Sequence, residues 1–323
     1  MATEVTQLDT LDKRIIAALQ LDGRASWHRI ARVLGEPERT VARRGARLLA
    51  GGKVVVHGLA RHGDMAVLRL RCNPGMLRVA ATAMARRADT TFTYLITGSA
   101  DCAVEISCPP QSFESLLLDE LPSTPGLVSC STNPSLRYYR SVHQWQPDLL
   151  TAEEIAELDP VAPVSTGPGA QSYSKDEQLL VRLLAEDGRR PGEELAALSG
   201  LSEPTVRRRI DTMRRQGRLL LRAVVEPALL GLPLEALLWV KAPPRSVDTV
   251  GEALLASPTV RYAVALAGEY QLLVHVATTD IRALHEFVTT SAWVDDVDSV
   301  ETAMIVAAPK RTGVPHPSLR SPS

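Results

Sequence analysis

Residues 202–210 read SEPTVRRRI, and residues 37–45 read PERTVARRG. A single run of arginines after a helix start is ordinarily a solvated face. Here the run recurs together with its surroundings: a shift of 165 residues lays 11–59 on 176–224 without a gap, with twelve identities. Among these are Leu19 with Leu184, Asp22-Gly23-Arg24 with Asp187-Gly188-Arg189, Ala31 with Ala196, Gly35 with Gly200, Thr40-Val41 with Thr205-Val206 and Arg43-Arg44 with Arg208-Arg209. A gapless match of this length marks an internal duplication.

Each copy reads as three short helices followed by a strand. In the second, Leu180, Leu183 and Leu184 form a helical stripe that breaks at EDGR, GEELAALSG is a second helix ended by Gly200, and Ser202 is a natural N-cap for the third. A helix closed by glycine, a short turn and a capped helix is the helix-turn-helix pattern, and KVVVHGL and RLLLRAVVE would add a strand to each, giving a winged form. At about 100° per residue, Val206, Ile210 and Met213 share the buried face of the third helix. Arg208 then lies opposite them, with Arg207 and Arg209 at its flanks as phosphate clamps. An outward arginine on such a helix can bond guanine bidentately in the major groove. The first copy departs from this plan: Glu36 and Pro37 stand for Leu201 and Ser202, and Gly45 stands for Ile210 on the buried face. A mid-helix glycine costs about 1 kcal/mol relative to alanine, so the first headpiece is expected to be the looser reader.

The stretches after the headpieces also resemble each other. MAVLRLRC (65–72), a helix over 76–88, strands at 91–97 and 101–108 hinged at Gly98, a helix over 111–121 and a strand near 127–132 make one βαββαβ run. EALLWVKA, SVDTVGEALLA, RYAVALAG, YQLLVHVAT, IRALHEFVTT and SVETAMIVA make the second. A sheet with helices on one side leaves an apolar face, so the two units should pack on each other or on another chain. The fold class expected is α+β: two winged helix-turn-helix headpieces (6–60, 174–226) and two ferredoxin-like βαββαβ domains (64–145, 232–309) in tandem. Residues 146–173 form a linker, with a Thr151/Glu154 capping box ahead of a flexible Pro/Gly/Ser-rich tether, and 310–323 a flexible tail.

Bulk properties fit this reading. The chain has 323 residues, 45% of them apolar, and a formal net charge of −1, which argues against a nonspecific polyanion binder. The charge is local: residues 1–60 hold ten Lys/Arg against six Asp/Glu, while 151–173 hold four acids and no base. No run approaches the roughly 18 apolar residues of a membrane span, and MATEVTQLDTLDKR lacks a secretory apolar segment. A cytoplasmic protein without membrane contact is expected. Cys72, Cys102, Cys108 and Cys130 have no metal-ligand spacing and read as packing thiols; no metal and no cofactor is expected.

DGRASWHRIARVLG and DGRRPGEELAALSGLSEPTVRRRIDTMRRQG resemble the winged helix-turn-helix of the Lrp/AsnC transcriptional regulators. ITGSADCAVEISC and LAGEYQLLVHVAT resemble the glycine hinge of that family's ligand-sensing domain. The resemblance implies a non-enzymatic, sequence-specific regulator of double-stranded DNA, here a covalent pseudo-dimer able to assemble further. It implies DNA contacts from Arg39, Thr40, Arg43, Arg44, Arg47, Ser202, Thr205, Arg207, Arg208 and Arg209. A small effector, an amino acid in many members, would bind at Gly98, Ser99 and Asp101 and at Gly268, Glu269 and Tyr270. Gln271 stands where the family usually has an acid, so the two hinges should not be equivalent.

Two other readings share the fold. Fused two-unit proteins similar to this family include the sirohaem decarboxylases, which place His, Arg and Tyr in the sensor cavity and lack the hinge glycine. Both hinge glycines are present here, and Tyr94, Tyr138, Tyr139, Arg140 and His143 are equally readable as sheet-edge and surface residues. An effector sensor without DNA binding is opposed by arginines on both recognition helices.

Overall fold

The computed structural model describes residues 8–52, 54–60, 63–158 and 173–319. In chain order, α1 (Thr10–Leu21), α2 (Trp27–Leu34), α3 (Glu38–Ala50) and β1 (Val55–Ala60) form the first headpiece. Next come β2 (Met65–Cys72), α4 (Leu77–Arg86), β3 (Thr90–Ile96) and β4 (Cys102–Ser107). The helix expected over 111–121 is broken into a 3-10 turn at Pro110–Ser112, one α turn (α5, Phe113–Ser115) and a π-helical stretch at Leu116–Glu120, and β5 (Leu127–Arg140) follows. The linker contributes α6 (Ala152–Leu158). The second half repeats the series with α7 (Lys175–Glu186), α8 (Gly192–Ser199), α9 (Glu203–Arg215), β6 (Leu219–Val224), β7 (Leu234–Lys241), α10 (Val247–Leu254), β8 (Val260–Leu266), β9 (Leu272–Thr278), α11 (Ile281–Thr290), β10 (Ser299–Arg311) and β11 (Val314–Pro315).

The chain divides into two compact units that do not follow the halves of the sequence. One unit, 1–61 with 146–230, holds both headpieces; the other, 62–145 with 231–323, holds both βαββαβ runs.

In the headpiece unit the strands do not each form a private wing. They pair with one another, antiparallel, in a two-stranded sheet running from Val55↔Val224 to Ala60↔Leu219, and β1 packs on α7 while β6 packs on α1. His57↔Arg222 is one of the two middle pairs, and these two residues are also equivalent in the duplication. Each reaches the first helix of the opposite copy: His57 Nδ1 donates to the Ala185 carbonyl at 2.7 Å and Arg222 to the Gln20 carbonyl at 2.9 Å. The repeated Asp-Gly-Arg turns dock against the opposite strand, Gly23 N–H donating to Leu221 O (2.7 Å) and Gly188 N–H to Val56 O (2.8 Å). A Cβ on Gly23 would fall 2.9 Å from Leu221 O, and one on Gly188 2.9 Å from the His57 carbonyl carbon. Close approach of backbone therefore accounts for glycine in both copies.

Gly45 leaves no gap on the buried face of α3. The Trp27 indole occupies the position, lying 2.3 Å from where a Cβ would stand. In the second copy Gly192 stands at the tryptophan position and Ile210, 4% exposed, at the glycine position. Each headpiece thus closes this part of its core with one large side chain, Trp27 in the first and Ile210 in the second. Nor does Ser202 distinguish the copies as an N-cap. Its hydroxyl bonds the Thr205 hydroxyl (2.9 Å) rather than a backbone N–H, and Pro37 likewise offers no side-chain cap. Neither a missing side-chain cap nor a gap at Gly45 therefore separates the first headpiece from the second.

The capping box of the linker forms as expected, with Thr151 N–H on Glu154 Oε2 (2.9 Å) and Glu154 N–H on Thr151 Oγ1 (3.3 Å). The helix it starts is not mere connection. It docks on α1 and α2, with Leu158 fully buried, Glu154 paired to Arg14 and Glu157 to Arg32 at 2.7 Å. The Pro/Gly/Ser-rich tether, 159–172, lies outside the described residues.

In the sensor unit the two runs do not stand as separate ferredoxin-like domains. Their strands join in one antiparallel sheet ordered β11-β10-β3-β4-β2-β5-β8-β9-β7, closed on itself by β10–β7 pairing. The junctions are β5–β8 and β10–β3, and both carry register shifts. The faces expected to seek cover do meet: Val67, Phe92, Tyr94, Ala103, Leu237, Trp239, Tyr262, Val264, Leu273 and Ala303 form one buried cluster drawn from both runs. Two further clusters lie between each run's sheet and its own helices. The tail expected from 310 starts inside β10. Lys310 and Arg311 are 4% and 5% exposed, and Lys310 Nζ donates to Arg87 O and to Thr90 Oγ1. Desolvation lowers the Lys310 ammonium to about 8.

Candidate functional site

The recognition helices α3 and α9 bury the faces their periodicity dictates: Val41, Gly45 and Leu48 in one, Val206, Ile210 and Met213 in the other. Opposite them Arg39, Arg43 and Arg47 are exposed on α3, and Arg207 and Arg208 on α9; Thr40, Arg44, Thr205 and Arg209 are half-buried, and Ser202 is exposed at the helix start.

Four of the seven arginines among the expected DNA contacts already have internal or helix-surface partners. Arg44 bonds Asp9 (2.5 Å) and Asp12 (3.0 Å), and Arg47 reaches Asp12 at 2.8 Å. In the second copy Arg209 bonds Asp176 at 2.8 Å and Ser174 at 3.4 Å. Asp12 is 3% exposed, so its carboxylate needs cationic partners. Arg44 and Arg209, the second of each repeated arginine pair, thus lash the recognition helix to the start of the first helix. Arg207 makes a loose 3.9 Å contact with Glu203 along its own helix. Arg39, Arg43 and Arg208 have no ion pair among the described residues.

The two hinges are built from unequal parts. Gly98 (φ 103°) and Gly268 (φ 142°) both adopt backbone that favours glycine. At the first, Ser99 Oγ donates to Glu301 Oε1 (2.5 Å), Arg69 binds both Glu301 oxygens at 2.9 Å, and the Tyr270 hydroxyl donates to Glu301 Oε2 at 2.5 Å. Ser99 of one hinge and Tyr270 of the other thus meet on one carboxylate. Burial works to raise the Glu301 carboxyl, but the bonds from Ser99, Tyr270 and Arg69 outweigh it and hold it below the ordinary range. The Arg69 guanidinium lies against both Trp239 (4.6 Å) and Tyr270 (4.7 Å), whose tilted rings are 5.8 Å apart. Trp239 is fully buried and its indole Nε1 has no hydrogen-bond partner among the described residues. Asp101 is not part of this group: its Oδ2 accepts from Cys72 N–H at 2.8 Å, tying the β3–β4 turn to the end of β2. Glu269 pairs outward with Lys241 at 2.8 Å, and at Gly268 an added Cβ would lie 2.4 Å from Asn133 Oδ1.

Sequence reading missed Arg69, Trp239 and Glu301. A signal existed: Arg69 and Glu301 fall on the alternate positions of apolar strands that point into the buried cluster, where a charge needs a partner.

A second polar group fills the same interior. Glu235 bonds Arg261 (2.7 Å), Arg311 (2.8 Å) and His275 (2.9 Å), all nearly inaccessible. Burial works against the Glu235 charge, but Arg311, His275 and Arg261 hold its carboxyl well below the usual range. Desolvation depresses His275 to about 4. Tyr94, read as an edge residue, is 1% exposed, stacked on Phe92 at 4.6 Å and set against His275. Tyr138 and Tyr262 donate to Glu105 at 2.8 and 2.5 Å, whose carboxyl is raised by burial. Tyr139 bonds Asp248 (2.5 Å) and Arg140 caps the carbonyls of Leu255, Ser257 and Val260; the side chain of His143 lies outside what is described. No group of three or more His, Cys, Asp or Glu side chains among the described residues could hold a metal ion. Likewise, no described helix is long and apolar enough to cross a membrane.

Comparison with known proteins agrees with this architecture. The AsnC-type helix-turn-helix domain matches residues 8–49 and 175–214, and the Lrp/AsnC ligand binding domain matches 235–315. An uncharacterised HTH-type transcriptional regulator of Pyrococcus furiosus is 32% identical over 145 residues, which are 43% of this chain and 95% of that protein. The HTH-type transcriptional regulator FL11 of the same organism is 25% identical over 134 residues, 41% and 89% of the respective chains. Among solved structures, the siroheme decarboxylase NirDL superposes with a TM-score of 0.62 at 14% identity, covering 94% of this chain and 93% of that one; at that identity the likeness is one of fold. The chain belongs to the Lrp/AsnC family of DNA-binding transcriptional regulators, with two AsnC-type helix-turn-helix regions in one polypeptide.

Proposed function

We propose that a single chain acts as a pseudo-dimeric regulator: headpieces 6–60 and 174–226 bind two unequal half-sites of double-stranded DNA, under the control of an α-amino acid bound at the first hinge. The observation that carries the DNA reading is the β1–β6 ladder, which couples two recognition helices within one polypeptide. On this reading Arg39, Arg43, Arg207 and Arg208 face the groove or its phosphates, with Thr40, Arg47, Ser202 and Thr205 at the margins, and Arg44 and Arg209 position the helices. The headpieces differ at Ala42/Arg207 and Ala46/Asp211, so the half-sites differ as well.

The effector site is Gly98, Ser99, Arg69, Glu301 and Tyr270. A zwitterion satisfies it by exchange, its carboxylate taking Arg69 and its ammonium taking Glu301. Gly268 and Glu269 form the unequal second hinge, and Asp101 supports the first through the backbone. Each βαββαβ run (64–145, 232–309) is a ferredoxin-like sensor sharing the closed sheet. Titration calorimetry with free amino acids tests this. Binding of at least one of them should be lost in Glu301→Gln and in Arg69→Gln; unchanged binding in both would remove the site.

An enzymatic reading has two observations in its favour: His275, Arg261 and Tyr94 lie inside the closed sheet, and the fold superposes on a siroheme decarboxylase. Those groups are engaged with Glu235, Trp145 and Phe92, and a macrocycle would have to displace them. Non-enzymatic regulation is the reading supported best. A protein purified without colour that takes up no added porphyrin agrees with it, and stoichiometric porphyrin binding would overturn it.

A further inference from the structure

The outward face of α9 carries an acid at its centre. Glu203, Pro204, Arg207, Arg208, Asp211 and Arg215 line one open depression on this helix. Asp211 is exposed, as is Arg208 one turn before it. Four arginines lie within reach along the helix, at i−4, i−3, i+3 and i+4, yet among the described residues Asp211 forms neither an ion pair nor a hydrogen bond. Arg207 turns to Glu203, Arg214 to Asp22 at 3.0 Å and Arg215 to the Thr212 hydroxyl at 3.4 Å. The equivalent position in α3 is Ala46.

A carboxylate on a surface that meets a polyanion weakens association unless a donor on the nucleic acid meets it. Phosphates and sugar oxygens accept; the donors on the major-groove floor are the N4 amino group of cytosine and the N6 amino group of adenine. Adenine N6 stands beside the N7 acceptor, which repels the second carboxylate oxygen, whereas cytosine N4 has no such neighbour on its own base. Three residues along a helix advance about 4.5 Å, little more than the roughly 3.4 Å between successive base pairs. A guanine held by Arg208 therefore sets the cytosine one or two base pairs away.

We infer that Asp211 is a specificity-determining residue of the second half-site, accepting from a cytosine amino group beside the guanine read by Arg208 and rejecting other bases by charge. This rests on the proposal that α9 enters the major groove. Ala46 provides no such contact, so the preference belongs to one half-site only.

Selection of bound sequences from a randomised DNA pool by the full chain, by Asp211→Asn and by Asp211→Ala tests it, with dissociation constants measured across a salt series. The wild-type pool should carry a fixed C·G pair next to a fixed G·C pair in one half-site. Both variants should lose the cytosine preference by about tenfold while binding unselected DNA more tightly. An unchanged base column in both variants would overturn the role of Asp211 and leave the α9 reading standing. Tighter binding of every sequence with no change in preference would overturn it too, reducing the carboxylate to a repulsive charge. Failure of the wild-type chain to enrich any sequence would overturn both.

Discussion

At the scale of the residue, neighbouring arginines separate into different roles. Arg43 and Arg208 are exposed and without an ion pair among the described residues, whereas Arg44 and Arg209 are tied to acids at the start of the first helix. Arg208→Ala should reduce specific DNA binding by about 1–3 kcal/mol and relax one base position, with unfolding unaffected. Arg44→Ala should do the reverse, lowering headpiece stability by about 1–3 kcal/mol because Asp12 loses a partner. Chemical denaturation beside a DNA titration separates the two. Trp27 and Gly45 make a second test: Gly45→Ile alone overpacks the core and should cost about 1–3 kcal/mol, and the double change with Trp27→Gly should recover most of it. Additive losses would show that the two positions are independent. The pattern of buried positions on α3 and α9 was legible from helical period alone. The Trp27 plug was not, because the compensating residues lie eighteen apart in sequence and only packing brings them together.

At the scale of the element, the duplicated Asp-Gly-Arg turns were visible as identities and their purpose was not. Periodicity marks β1 and β6 as strands but carries no register between segments 165 residues apart, so a private wing was as consistent with the pattern as the observed exchange. The same limit applied to the sensor strands: their order within each run followed from the βαββαβ pattern, while closure through β5–β8 and β10–β3 depends on bulges that alternation does not encode. Gly188→Ala places a methyl group 2.8–3.0 Å from Val56 and His57 and should loosen the ladder. Affinity for a complete operator should then fall toward that of one half-site, while binding to an isolated half-site persists. Equal losses on both DNAs would mean that the turn acts through folding of its own headpiece.

At the scale of the whole molecule, both units rest on pairing between the two halves of a duplicated chain, and the sensor unit adds a pH dependence. His275 is buried neutral, and its folded pKa of about 4 lies below the ordinary 6.5. The unfolded chain binds the proton first, so stability is full above about pH 6.5 and falls as pH drops from there toward 4, by on the order of 1–3 kcal/mol. Urea unfolding followed by tryptophan fluorescence reports this mainly from the sensor unit, which holds Trp145, Trp239 and Trp293 against Trp27 in the headpieces. His275→Gln should flatten the window. Duplication itself was the most legible feature of the sequence, and the hinge glycines pointed to the region where Ser99 and Tyr270 meet. Arg69, Trp239 and Glu301 belong to strands distant in sequence and became evident only once the sheet closed. The central claim, that one polypeptide presents two unlike recognition surfaces, is tested most directly by hydroxyl-radical footprinting of a selected operator with the bound mass determined on the same complex. One chain should protect two half-sites of different sequence, and exchanging the half-sites should turn the footprint around without changing affinity. A strictly palindromic operator with equal protection of both halves by two chains would contradict it.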